Sequence, residues 1–201
     1  MRTARALARH EARLMVSLLL WLARRRHGTR DATHAFGYAR GQGATTAGLA
    51  FVCVVETFTL SVLLRDWPTA HAVALVLDAY TVVFVVALHA ASVVRPHVLD
   101  GATLRVRHGT HVDLRIPRHG ITAIRRELRA SSARAPGELD VAVGGQTSLT
   151  LELARPVTHV TLLGRRREVR VVRLHADDAD GLVRALTPAR SSPSPSGDRP
   201  G

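Results

Sequence analysis

Two apolar runs separated by a five-residue polar link constrain this chain more than any other feature. The first, AGLAFVCVVETFTLSVLL (Ala47–Leu64), is about 18 residues long, roughly 27 Å as a helix, just enough to cross the hydrocarbon core of a bilayer. The second, AHAVALVLDAYTVVFVVALHAASVV (Ala70–Val94), is long enough to span with some tilt. Pro68 and the short link Arg65–Thr69 make the pair a tight helical hairpin. A hairpin buried inside a soluble protein is the competing reading. No other part of the chain offers enough apolar surface to cover two such helices.

The flanks set the orientation. Nine arginines precede Ala47, among them Arg5, Arg9, Arg13, Arg24, Arg25 and Arg26. Arg95, Arg105 and Arg107 follow Val94, and the link holds only Arg65, beside Asp66. The positive-inside rule then places both termini in the cytoplasm of a multi-pass cell (inner) membrane protein, with Trp67 at the outer interface. The net charge is +12 and every basic residue is Arg. Anionic headgroups of the lipid bilayer and nucleic acid both suit such a chain. Aromatics make up only 4% of residues, which argues against single-strand stacking platforms and makes nucleic acid the weaker partner. The single Cys53 excludes an intrachain disulfide.

Residues 1–43 read as an amphipathic helix followed by a basic loop. LMVSLLLWLA (Leu14–Ala23) is too short to span. RRRHG stands where a signal peptide would need small residues for cleavage. Arg5, Arg9 and Arg13 recur at helical spacing, which suits a helix on the cytoplasmic leaflet. A helix packed on the protein's own hairpin fits equally well. The stretch 27–43 reads as a loop.

Glu56 and Asp78 stand eleven positions either side of Trp67, so a hairpin hinged there brings both carboxyls to similar depth. Glu56 and Thr59 share a polar face of the first helix; Asp78, Thr81 and His89 share one on the second. Such stripes mark helix–helix contacts in lipid, or an ion or proton path. Glue is the stronger reading, because two helices supply no evident pathway.

From His97 the apolar period changes to two. Leu104 and Val106 alternate with arginines, as do Val112, Leu114 and Ile116 with Asp113 and Arg115. An odd-length connection puts both apolar sets on one face. Ile121 and Ile124 continue the sheet after Pro117. Further short strands are expected around Leu139–Val143, Leu149–Leu153, Val160–Leu162 and Val169–Leu174, with Pro156 as a break. HADDADGLVRAL closes the domain as a helix with Asp177 as its N-cap. The tail 188–201 is Pro/Ser/Gly-rich and reads as disordered. Four regions result: 1–43, the two-helix hairpin 44–95 (spans 47–64 and 70–94), a β-rich cytoplasmic domain 96–187, and the tail.

Seven short strands and one C-terminal helix follow the order of a pleckstrin-homology fold. VRPHVLDGATLRVRHGTHVDLRIPRHGITAIR also resembles the opening of bacterial PH-like domains in actinobacterial two-helix integral membrane proteins. The most specific part is Arg95-Pro96-His97 with the hairpin after it and Ile116-Pro117. The resemblance implies a membrane α-helical hairpin carrying a cytoplasmic α+β domain, a PH-like β-sandwich or barrel of about seven strands. It supplies no catalytic or cofactor residues.

Arg105, Arg107 and Arg115 around the first hairpin are read either as a solvated sheet face or as contacts to anionic lipid. His108, His111 and His119 lack the Cys or carboxylate support of a metal site. No Walker loop, catalytic triad order or HExxH motif is present, so no catalysis, cofactor or small-molecule substrate is expected. The sequence therefore points to a membrane protein presenting a small cytoplasmic module for scaffolding, assembly or regulation, with a protein partner or homo-oligomer. Its alternative is a subunit of an ion- or proton-conducting oligomer using Glu56 and Asp78.

Overall fold

The computed structural model describes residues 2–25, 27, 33–131, 135–162 and 164–187. The tail 188–201 and Arg26 lie outside these, as does the side chain of Arg5. Two long apolar helices dominate one end: α2 (Gln42–Leu63) and α3 (Pro68–Val94). Proline opens α3 at a position where its missing N–H costs nothing. The two pack as an antiparallel pair, tied by Ser61 Oγ to His71 Nε2 at 3.1 Å near the turn and by Thr46 Oγ1 to His89 Nδ1 at 3.5 Å near the other end. Both helices are long and apolar enough to cross a membrane.

Helix α1 (Arg2–Leu22) packs across α3 rather than standing apart. Leu14 is fully buried against Ala87 and Ala91, with Met15, Leu18 and Phe84 around them. The small alanines of α3 let the two backbones approach closely. Glu11 Oε1 accepts from Tyr80 Oη at 2.8 Å. Arg24, in the left-handed region at φ 52°, ends the helix.

Among the other described residues the chain builds two open four-stranded sheets. The first runs β1 (His34–Phe36), β2 (His97–Asp100), β3 (Thr103–His108), β4 (Val112–Pro117), every pair antiparallel. The three-residue connection Gly109–His111 is odd, so Leu104 faces Ile116 and Val106 faces Leu114 as the parity argument requires. Gly109 takes φ 52°, which a β-carbon would oppose. The second sheet combines β5 (Ile121–Ala130), β7 (Gln146–Val160), β8 (Arg166–Leu174) and β6 (Glu138–Val141), in that spatial order.

The PH-like expectation of about seven strands is overturned. Among the described residues there are eight strands, the two sheets do not close on each other, and β6 runs parallel to β8. Three local causes account for the difference. The linker before α2 contributes β1, which pairs with β2 directly after α3. A short 3₁₀ turn, Arg118–Gly120, carries the chain from β4 to the other sheet, so Ile121 and Ile124 do not extend the first. Pro156 does not end a strand: β7 continues past it through a bulge between Glu152 and Val157, where no ladder hydrogen bond is required of proline. Gly144 and Gly145 turn the chain between β6 and β7, yet the two share only the bridge Val143–Gln146. Strand β6 moves to the outer edge of β8, where Glu138 pairs with Arg173.

The inner faces of the two sheets share one core of Leu104, Val106, Leu114 and Ile116 with Leu149, Leu151 and Val172. Helix α4 (Ala179–Leu186) closes its end with Leu182 and Leu186. Its N-cap is Asp178, which accepts the Gly181 N–H at 2.8 Å, one residue later than the sequence suggested. Asp177 has a different task. Its N–H donates to Gly37 O at 2.8 Å and its carboxylate accepts the Arg40 N–H, fastening the linker before α2 to the start of α4. A β-carbon on Gly37 would stand 2.9 Å from that carboxylate, so glycine permits the approach.

Candidate functional site

Glu56 and Thr59 are exposed on α2, and Thr59 Oγ1 donates back to Val55 O at 2.9 Å. Asp78 is half-buried, its Oδ2 enclosed without a hydrogen-bond partner. Thr81 is exposed and bonds back to Leu77 O. Among the described residues no hydrogen bond joins Glu56 to Asp78. His89 is engaged, between Thr46 and the edge of the Trp21 ring at 6.3 Å. The side-chain hydrogen bonds between α2 and α3 among the described residues are those of His89 with Thr46 and His71 with Ser61, nearer the two ends of the hairpin.

The arginines divide into two kinds. Arg107 is 3% exposed, and its Nη1 donates to His27 O at 2.9 Å. Arg105 grips Asp113, with Nε to Oδ1 at 2.6 Å. Burial works against the charge on Asp113, but the Arg105 hydrogen bond and the nearby charges of Arg107 and Arg115 outweigh it and hold the carboxyl below its usual range. Arg9, Arg13, Arg24 and Arg25 are exposed on or just beyond α1.

Where α3 meets the first sheet, the chain builds a buried polar stack. Tyr38, fully buried, lies between the rings of His97 and His108, at centroid distances of 4.9 and 5.3 Å. Its Oη accepts the Gly109 N–H at 2.8 Å. Burial pushes the phenol up to about 12. His97 Nδ1 accepts the Arg107 N–H at 3.1 Å, so its proton sits on Nε2, which donates to His175 O at 2.9 Å. Burial lowers His97 to about 4, further than the His175 bond raises it. His108 falls to about 4 as well, through burial and the neighbouring His111. The stack joins the linker before α2 to β2 and to the β3–β4 hairpin. Sequence reasoning passed over it because Tyr38 sits in a stretch read as loop, and β1 is only three residues long.

Beside this junction α1 approaches the sheet domain. His10 Nδ1 and Thr110 Oγ1 lie 2.7 Å apart, and burial with the charges of Arg13 and Arg95 lowers the histidine's pKa. Among the described residues no group of three or more His, Cys, Asp or Glu side chains is placed to hold a metal ion.

The class that these features define is a pair of membrane-length apolar helices followed by a mixed α/β region of two open sheets. No protein-family model, curated protein or solved structure matches the chain, so nothing ties it to actinobacterial membrane proteins or to PH domains.

Proposed function

We propose that this chain is an integral protein of the cell membrane that holds its two-sheet region against the cytoplasmic face as a module for assembly, scaffolding or regulation. One observation carries the proposal. The most apolar window of α2 is 0% buried and that of α3 is 6% buried. Phe51, Phe58, Leu63 and Val76 are each about two-thirds exposed or more. Exposing such a contiguous apolar surface to water would be prohibitive, and a core hairpin would have been covered. Lipid is the cover that fits. The orientation rests on charge: Arg65 pairs with Asp66 at 3.7 Å in the turn, leaving it without a net charge, while the other end carries unbalanced arginines.

The expected result is that the full chain stays in the pellet after alkaline carbonate extraction, and that reporters fused to either end are active only on the cytoplasmic side. Release by carbonate, or ends on opposite sides, would remove the reading.

A second reading has an observation of its own. Glu56 faces outward from α2, and Asp78 keeps an oxygen without a partner. Intramembrane acids so placed suit an ion or proton path completed by further protomers. In proteoliposomes this predicts a proton or cation flux that Glu56→Gln and Asp78→Asn each abolish. Flux indistinguishable from empty vesicles would leave the anchored module alone.

A further inference from the structure

A cleft of about 900 Å³ opens where α1, the β3–β4 hairpin and the β7–β8 turn meet. Its charge is lopsided. Arg9 and Arg13 line it from α1, and Arg105 and Arg115 from the hairpin. The one carboxylate among its lining residues, Asp113, is already taken by Arg105. Arg9, Arg13 and Arg115 make no ion pair among the described residues. Behind them stands Arg95, half-buried, its Nε enclosed without a hydrogen-bond partner. Arg9 and Arg13 are four apart on one helix, a spacing at which like charges repel. An anion between the walls would relieve that repulsion and use the planar forks that arginine offers to phosphate.

We propose that this cleft binds the phosphate of an anionic phospholipid headgroup, with Arg9, Arg13 and Arg115 as its cationic ligands. The proposal rests on the reading that α2 and α3 span the bilayer. Contact of α1 with Ala87 and Ala91, near the end of α3 that enters the sheet domain, then puts the cleft at headgroup level. The third wall is mixed: Val157, Val160 and Leu162 present apolar surface beside Thr158 and Thr161, and Val160 is 53% exposed. A glycerol backbone and the first acyl carbons fit such a wall, whereas a free phosphate has no use for it.

The test uses the full chain, stripped of lipid in neutral detergent, with bound lipid counted by native mass spectrometry. Short-chain phosphatidylglycerol is titrated against phosphatidylcholine and, separately, inorganic phosphate. Phosphatidylglycerol should be retained in preference, and the triple variant Arg9→Gln, Arg13→Gln, Arg115→Gln should weaken it by about a hundredfold. A charge-matched triple at exposed sites outside the cleft, Arg155→Gln, Arg170→Gln and Arg184→Gln, should leave it unchanged. Equal loss in both triples, or loss in neither, overturns the site. Inorganic phosphate binding as tightly as the lipid, and lost only in the cleft variant, overturns the lipid assignment. Should the cleft triple unfold, Arg115→Gln alone carries the test, with a loss of about fivefold expected and no loss overturning the site. Retention is read in detergent, so a chain that failed carbonate extraction yet held the lipid would lose the topology and keep the site.

Discussion

Tyr38→Ala is expected to destabilise the full chain by about 3–5 kcal/mol, the cost of deleting a buried aromatic ring whose surroundings cannot collapse. Collapse is blocked on every side. The ring is fully buried between two imidazoles, and the backbone on which it stands is pinned by the β1–β2 ladder before it and by Asp177 after it. Tyr38→Phe keeps the ring but strips the Gly109 N–H of its acceptor, and should cost about 1–3 kcal/mol. The urea midpoint of the purified protein in detergent micelles, followed by near-ultraviolet circular dichroism, measures both. A midpoint for Tyr38→Ala within error of the wild type would mean that the stack does not hold the junction together. Trypsin adds a local readout. The Arg40 N–H is held by Asp177, so a loosened linker should be cut faster after Arg40.

That junction also marks the boundary of what the amino-acid order discloses. The two long helices were legible because their apolar runs exceed anything a domain of this size could cover. The β3–β4 register was legible because parity and an odd connection leave one solution. Elsewhere non-local pairing decided. His34–Phe36 is too short to announce a strand, and becomes one because β2 offers it an edge. Gly144-Gly145 has the look of a tight hairpin, but β8 takes β6 on its outer edge and the ion pair of Arg173 with Glu138 seals that choice. Pro156 signalled a break and proved to mark a bulge in a fifteen-residue strand. At the cleft, composition disclosed an excess of arginine but not its division. Arg105 and Arg107 are taken by hydrogen-bond partners of their own chain, while Arg9 and Arg13 on α1 and the distant Arg115 on β4 are gathered around one opening.

Acid should dismantle the same junction. His97 accepts at Nδ1 from the Arg107 N–H, so a second ring proton would displace that bond and place a cation in a buried site facing His108 and the Arg107 charge. His97 and His108 both lie at about 4 in the folded chain, against about 6.5 for an unfolded histidine. Between those values the unfolded chain binds more protons than the folded one. The contribution is complete above about pH 6.5 and is lost as the pH falls toward about 4. For His97 alone the loss is about 3 kcal/mol; half-buried His108 adds a smaller share. Asp113 does not cloud this window, because Arg105 holds its carboxyl below the usual range and its contribution is lost only at lower pH. The urea midpoint should therefore drop steeply between pH 7 and pH 4.5. His97→Gln keeps a donor and an acceptor but cannot gain a proton, so the variant should start less stable at neutral pH and lose clearly less on acidification. An equally steep fall in wild type and variant would assign the acid lability to other groups.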